Sequence, residues 1–165
     1  MKALVLFCCT ILGTTSLFSQ NIYPEKYDDC NSGLFLLEGK KILIDIDNEQ
    51  LLSNILEQLD PKILNKLMGD LYFQVYVDSL GNHCCLSLKN ELNKKGQNVN
   101  FKKIVDENTV WSIPTRENNI AAVSAMVKIQ FTKETIFLSR LGFNGKVGWL
   151  ELSRVEYDRT SAKTK

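Results

Sequence analysis

LYFQVYVDSLGNHCCLSLK, residues 71–89, decides the fold. Leu71, Phe73, Val75 and Val77 alternate with Tyr72, Gln74, Tyr76 and Asp78. A period of two places the first set on one face of a sheet and the second on the other. Asp78-Ser79-Leu80-Gly81-Asn82 then reads as a turn, because Asp opens such turns and Gly takes the positive φ that closes them. Beyond the turn, Cys84, Leu86 and Leu88 fall on one face, and His83, Cys85, Ser87 and Lys89 on the other. The stretch predicts an antiparallel hairpin with an apolar face that must be covered.

A cover lies immediately downstream. Phe101, Ile104, Val105 and Trp111 recur at helical spacing, with Asn98 or Asn100 as N-cap. A third alternating run follows. Val123, Ala125, Val127, Ile129 and Phe131 share a face, opposite Ser124, Lys128, Gln130 and Thr132, with Met126 among the latter. The same helix can pack over all three strands. The fold class expected is α+β, an antiparallel sheet with helices on one face. Val75 and Val127 are assigned to the covered face, and Gln74 and Lys128 to the face that tolerates charge.

Upstream, Asp47-Asn48-Glu49-Gln50 is a capping-box variant, opening a helix with the stripe Leu52, Ile55, Leu56 and Leu59. Asp60-Pro61 starts a shorter helix, with Ile63, Leu64, Leu67 and Met68 on its apolar side and Gly69 placed to end it. The runs LFLLEG and KKILIDI, within residues 34–46, are expected to pair as a hairpin. Downstream, Asn144-Gly145 signals a hairpin joining residues 135–143 to 146–155. This hairpin or the N-terminal one covers Tyr72 and Tyr76, or the tyrosines form a contact surface.

The chain has 165 residues, 44% of them hydrophobic, and a formal net charge of +1. Such a chain can bury a core, and near-neutrality gives no electrostatic reason to expect nucleic acid or an anionic membrane as partner. Residues 1–19 read as a cleaved signal peptide. Lys2 precedes the apolar run 3–12, and 17–20 end in small or polar residues. The run is short for a membrane span, which needs about 20 apolar residues. The expected divisions are signal peptide 1–19, an N-terminal segment 20–47, the α+β unit 48–132, a strand extension 133–157 and a disordered basic tail 158–165.

Without the signal, Cys30, Cys84 and Cys85 remain. Cys30 can pair with Cys84 or with Cys85, since the two point to opposite faces, or all three stay reduced. His83 beside two cysteines suggests a metal, but a turn-end His and a core Cys are the plainer reading, and no further ligands stand at suitable spacing. Lys94, Lys95, Lys102 and Lys103 lack the interleaved aromatics of a nucleic-acid surface. No catalytic constellation, cofactor site or metal site is expected.

The order short helix, Gly, strand, Asp-x-x-Gly turn, strand, helix, Trp, Pro, strand resembles the C-terminal domain of the TonB family. Pro61, Gly69, residues 71–77, Asp78 to Gly81, residues 101–111, Pro114 and the strand ending at Phe131 carry it. The family often has one residue between that Trp and Pro, where Ser112 and Ile113 stand here. With three prolines in all, the chain has no proline-rich spacer, so the resemblance implies a stand-alone domain in the periplasm, or secreted. It also implies that an extended peptide of an outer-membrane receptor or other envelope protein adds to an edge strand, Val123, Ser124, Ala125, Met126, Val127, Lys128, Ile129, Gln130 and Phe131. The alternatives are an envelope structural or interaction protein with no peptide ligand and, last, a small metal-binding protein or hydrolase.

Overall fold

The structure is a computed structural model and describes residues 21–30, 32–116 and 122–157. The expected signal peptide and basic tail lie outside these residues. In chain order the elements are β1 (Glu25–Lys26), β2 (Leu36–Leu37), β3 (Ile42–Leu43), α1 (Asn48–Glu57), α2 (Pro61–Leu64), β4 (Gly69–Val77), β5 (His83–Leu92), α3 (Phe101–Asn108), β6 (Thr115–Arg116), β7 (Val123–Phe131), β8 (Thr135–Leu141) and β9 (Trp149–Glu156).

The seven-stranded sheet runs β1-β5-β4-β7-β8-β9, and β2 pairs with β7 at its start. All pairings are antiparallel except β2 with β7. The mixed α and β class is as expected. One face of the sheet carries α1 and α3, whose Leu51, Leu52, Ile55, Phe101, Ile104 and Val105 share the main core with Leu71, Phe73, Val75, Val77 and the odd-numbered residues of β7. The helix starts follow their caps. Asp47 Oδ1 accepts from the N–H groups of Glu49 and Gln50, and Asn100 Oδ1 from that of Lys103. Asp78 Oδ1 likewise accepts from Leu80 and Asn82 to shape the β4–β5 turn.

Several expectations are corrected. The runs around residues 34–46 do not form a hairpin with each other. β2 goes to β7 and β3 to β6, leaving a single bridge between Gly39 and Ile42. Gly69 does not cap α2. It opens β4 at φ 112°, where an added Cβ would lie 2.4 Å from the Glu91 carbonyl oxygen, so close strand approach demands it. The faces of β5 also change along its length. The register slips between Gln74↔Ser87 and Val75↔Cys85, which leaves Leu86 as the extra residue of a bulge. Cys85 therefore joins Leu88 in the main core, while Cys84 and Leu86 turn to the opposite face.

That opposite face is covered in part by residues 21–37. Cys30, Tyr76 and Leu86 form a small second core with Phe35, Cys84 and Ala122 against it. Gln74 is wholly buried there, which corrects its assignment to a charge-tolerant position. Its amide donates to Ser124 Oγ, and its oxygen accepts from Ser87 Oγ and the Ile22 N–H. Each polar atom is matched, as burial requires. Of the two tyrosines, Tyr76 is buried under Phe35, and Tyr72 is half-buried between Tyr23 and Trp149. The N-terminal segment and the C-terminal hairpin thus share the cover.

Glu38 and Arg140 join the N-terminal segment to β8. Arg140 Nε donates to Glu38 Oε2 at 2.9 Å, and its Nη2 bonds Glu38 Oε1 and the Ile44 carbonyl. Glu38 Oε1 also accepts the Ile44 N–H at 3.0 Å. Both side chains are buried. Burial pushes the Glu38 carboxyl up, with Arg140 opposing, and pushes the Arg140 guanidinium down, with Glu38 opposing.

Candidate functional site

Strand addition needs a row of backbone N–H and C=O groups with no partner. The run expected to supply it, Val123–Phe131, is interior. β7 is paired to β4 along its whole length, from Val77↔Val123 to Gly69↔Phe131. On its other side β8 takes Val127 to Phe131, and β2 takes Val123 and Ser124. The C-terminal hairpin that the sequence announced through Asn144-Gly145 occupies that edge. None of the nine expected residues lies at the margin of the sheet.

Two margins remain, β5 and β9. The outer side of β5 is closed piece by piece. The bulge leaves the Cys85 N–H turned outward, and Asp106 Oδ1 accepts it at 2.6 Å. The Leu86 carbonyl accepts from the Tyr27 N–H, and β1 pairs with Ser87 and Leu88. Gln97 Nε2 donates to the carbonyls of Asn90 and Leu92, and Asn90 Oδ1 accepts the Leu92 N–H. No row is left to a partner.

The β9 margin has no strand beside it among the described residues. The Tyr157 N–H donates inward to the Glu134 carbonyl. Alternation along an antiparallel strand then turns Val155 inward and the backbone groups of Arg154 and Glu156 outward. The Arg154 and Glu151 side chains are exposed and pair at 3.0 Å. A second bulge, between Leu138 and Ser139 of the facing strand, lies just before this open part. Trp149 heads the strand. It packs on Tyr72 at 5.8 Å between ring centres, with the Lys128 ammonium 5.7 Å over its ring.

The candidates for chemistry are placed as follows. His83 Nε2 lies 3.3 Å from the Val105 carbonyl and from Thr109 Oγ1. Burial lowers its pKa, with the Val105 carbonyl opposing. Thr109 Oγ1 also accepts from the Trp111 indole N–H, so His83 and Trp111 form a structural knot. Among the described residues, no three His, Cys, Asp or Glu side chains are grouped to hold a metal ion. Cys30 is bonded to Cys84, and Cys85 is a buried free thiol that burial pushes up to about 12. Of the lysines, Lys102 is engaged by Asp29 and Asp106, and Lys103 by Glu107 at 3.8 Å. No helix of the described residues is long and apolar enough to cross a membrane. Sequence reasoning missed the β9 edge because nothing in WLELSRVE marks which side of the strand lacks a neighbour; that depends on β7 already being covered. Comparison with protein-family models, curated proteins and solved structures finds no match to the chain.

Proposed function

We propose that the chain is an exported binding module of the TonB C-terminal-like kind, taking an extended peptide of an outer-membrane receptor or other envelope protein by strand addition. The edge is that of β9. The observation carrying the reading is the outward backbone of Arg154 and Glu156, beside which no strand lies among the described residues, while the β5 margin is closed by side chains and by β1. The chain order β4, β5, α3, β7, with β4 between β5 and β7 in the sheet, is in keeping with the resemblance. An added strand would run antiparallel or parallel to β9, with backbone bonds giving affinity and the Trp149, Glu151 and Arg154 side chains giving selectivity.

A second reading is an envelope interaction protein with the fold and no peptide ligand. The coverage of β7 by β8 and β2 favours it. Fluorescence anisotropy against a library of labelled extended peptides from envelope proteins separates the two. Arg154→Pro removes an outward donor while keeping the inward ladder bonds. The expected result is a peptide that binds the parent and is lost by at least about tenfold in the proline variant, with the circular dichroism spectrum unchanged. A folded Arg154→Pro that binds as the parent does overturns the β9 edge. A parent that binds none of the library leaves the second reading.

A further inference from the structure

The chain already performs one strand addition on itself. Glu25 and Lys26 lie antiparallel on the β5 margin, opposite Leu88 and Ser87. The Ile22 N–H reaches Gln74 Oε1, the Tyr23 N–H reaches Ser87 Oγ, and the Tyr27 N–H reaches the Leu86 carbonyl. Asp29 pairs with Lys102 at 2.7 Å. This strap of residues 21–29 closes the middle of β5, yet Ile22, Pro24, Glu25, Lys26, Asp28 and Asp29 are exposed, and Asn21, Tyr23 and Tyr27 are half-buried. Its non-covalent hold is a two-residue ladder, a few backbone bonds, a partly exposed ion pair and two tyrosines, Tyr27 against the main core and Tyr23 against Tyr72, with no fully buried side chain before Cys30.

At Cys30 the hold becomes covalent. The Cys30–Cys84 bond ties the end of the strap to the opposite face of β5. Past Cys30 the chain is held separately, by the Leu36 N–H on the Ala122 carbonyl, the Glu38 N–H on the Ser124 carbonyl and the Glu38–Arg140 pair. The disulfide is thus the boundary between a firmly anchored segment and a weakly anchored one. A polar cleft of about 430 Å³, lined by Tyr27, Asp28, Asp29, Cys30, Ser32 and Leu86, opens onto the Cys30 side of the bond. The third thiol takes no part. Cys85 sits on the helix-covered face, in the main core, and burial keeps it protonated.

We infer that the Cys30–Cys84 disulfide is a redox latch on the strap, opened through this cleft by a dithiol reductant, and that opening it releases the strap from the β5 margin between Leu86 and Leu88. The exchange is balanced. A thiolate of the dithiol attacks Cys30 Sγ, the Cys30–Cys84 bond breaks and the Cys84 thiolate leaves and takes up a proton. The second thiol of the reductant then attacks the mixed disulfide, the reductant is oxidised to its disulfide, and Cys30 departs as a thiol. This inference stands independently of the β9 edge, since it concerns the opposite margin of the sheet.

Hydrogen exchange on the mature chain, read residue by residue with and without dithiothreitol, tests it. The expected result is that protection of the Ile22, Tyr23 and Tyr27 amides falls by at least about tenfold on reduction, while Phe73 and Val127 in the sheet interior keep theirs. Cys30→Ser should show the same pattern without reductant, and Cys85→Ala should keep the parent's response to it. Strap amides that stay protected within about twofold after reduction overturn the latch, because the strap is then held without the bond. Loss of protection at Phe73 and Val127 together with the strap also overturns it, because the bond is then a staple for the whole fold.

Discussion

Replacing Arg140 by leucine strands Glu38 in the interior. Arg140 is fully buried and Glu38 is 7% exposed, so water cannot take over the role of the guanidinium. The substitution removes the bonds to both carboxylate oxygens and the bond to the Ile44 carbonyl. Breaking a buried pair by deleting one member costs about 3–5 kcal/mol, against about 5–15 kcal/mol of stability for a whole domain. At about 2–4 °C per kcal/mol, the melting temperature should fall by roughly 6–20 °C at pH 8. The loss should depend on pH. Burial already holds the Glu38 carboxyl above its ordinary value, and Arg140 is the charge that opposes the shift. Without Arg140 the folded-state value climbs further. A carboxyl with a raised folded pKa binds its proton more tightly in the folded chain. Its contribution to stability is complete below the unfolded value and is lost as pH rises through the folded one. Arg140→Leu should therefore be closer to the parent at pH 5 than at pH 8. Glu38→Gln keeps an acceptor for the Ile44 N–H and should show less of this pH dependence. Chemical denaturation at both pH values measures the effect. A variant within about 1 kcal/mol of the parent at pH 8, or with a gap that does not widen from pH 5 to 8, refutes the reasoning.

Val75→Asp and Val127→Asp should unfold the domain, because both sites are fully buried under the helices and an unpaired carboxylate there costs several kcal/mol, whereas Lys128→Asp, half-exposed over Trp149, should stay folded; thermal melts followed by circular dichroism distinguish them. Gln74→Asp should destabilise by about 1–3 kcal/mol, since its shorter side chain leaves Ser87, Ser124 or the Ile22 N–H without a partner; urea titration reads this, and a midpoint equal to the parent's contradicts the buried network. Gly69→Ala should cost more than the roughly 1 kcal/mol of an ordinary glycine exchange, because it adds a Cβ contact with the Glu91 carbonyl to a positive φ; an unchanged melting temperature would place β4 and β5 further apart than described.

What was legible in the sequence had a period. Residues 71–77 and 123–131 alternate over enough positions to fix their faces, and the stripes beginning at Leu52 and Phe101 repeat over enough turns to fix α1 and α3. The β5 bulge carries no such mark. Cys84, Leu86 and Leu88 read as an unbroken apolar face, and only pairing with β4 reveals that Leu86 is extra. Two-residue strands such as β1, β2, β3 and β6 have no period at all. Their places are set by remote side chains, Cys30 on Cys84 and Glu38 on Arg140. Gln74 and Arg140 look like surface residues in the sequence because their partners stand 50 and 102 positions away. The candidate edge depends on the full strand order, and a run of residues such as WLELSRVE does not carry that order.

The parallel pairing of β2 with β7 and the Glu38–Arg140 bond set the order in which a chain made from its N-terminus can fold. Leu36 and Leu37 find their register only on Val123 and Ser124, and Glu38 finds its counter-ion only when residue 140 has emerged. At about 5–20 residues per second, residues 36–38 wait several seconds for these partners. During that interval α1 has not yet met β9, the strand it packs on. Contacts this distant in sequence also slow the final search. Synthesis therefore leaves residues 36–57 to complete their packing last, and a chain cut short before Arg140 cannot complete it at all.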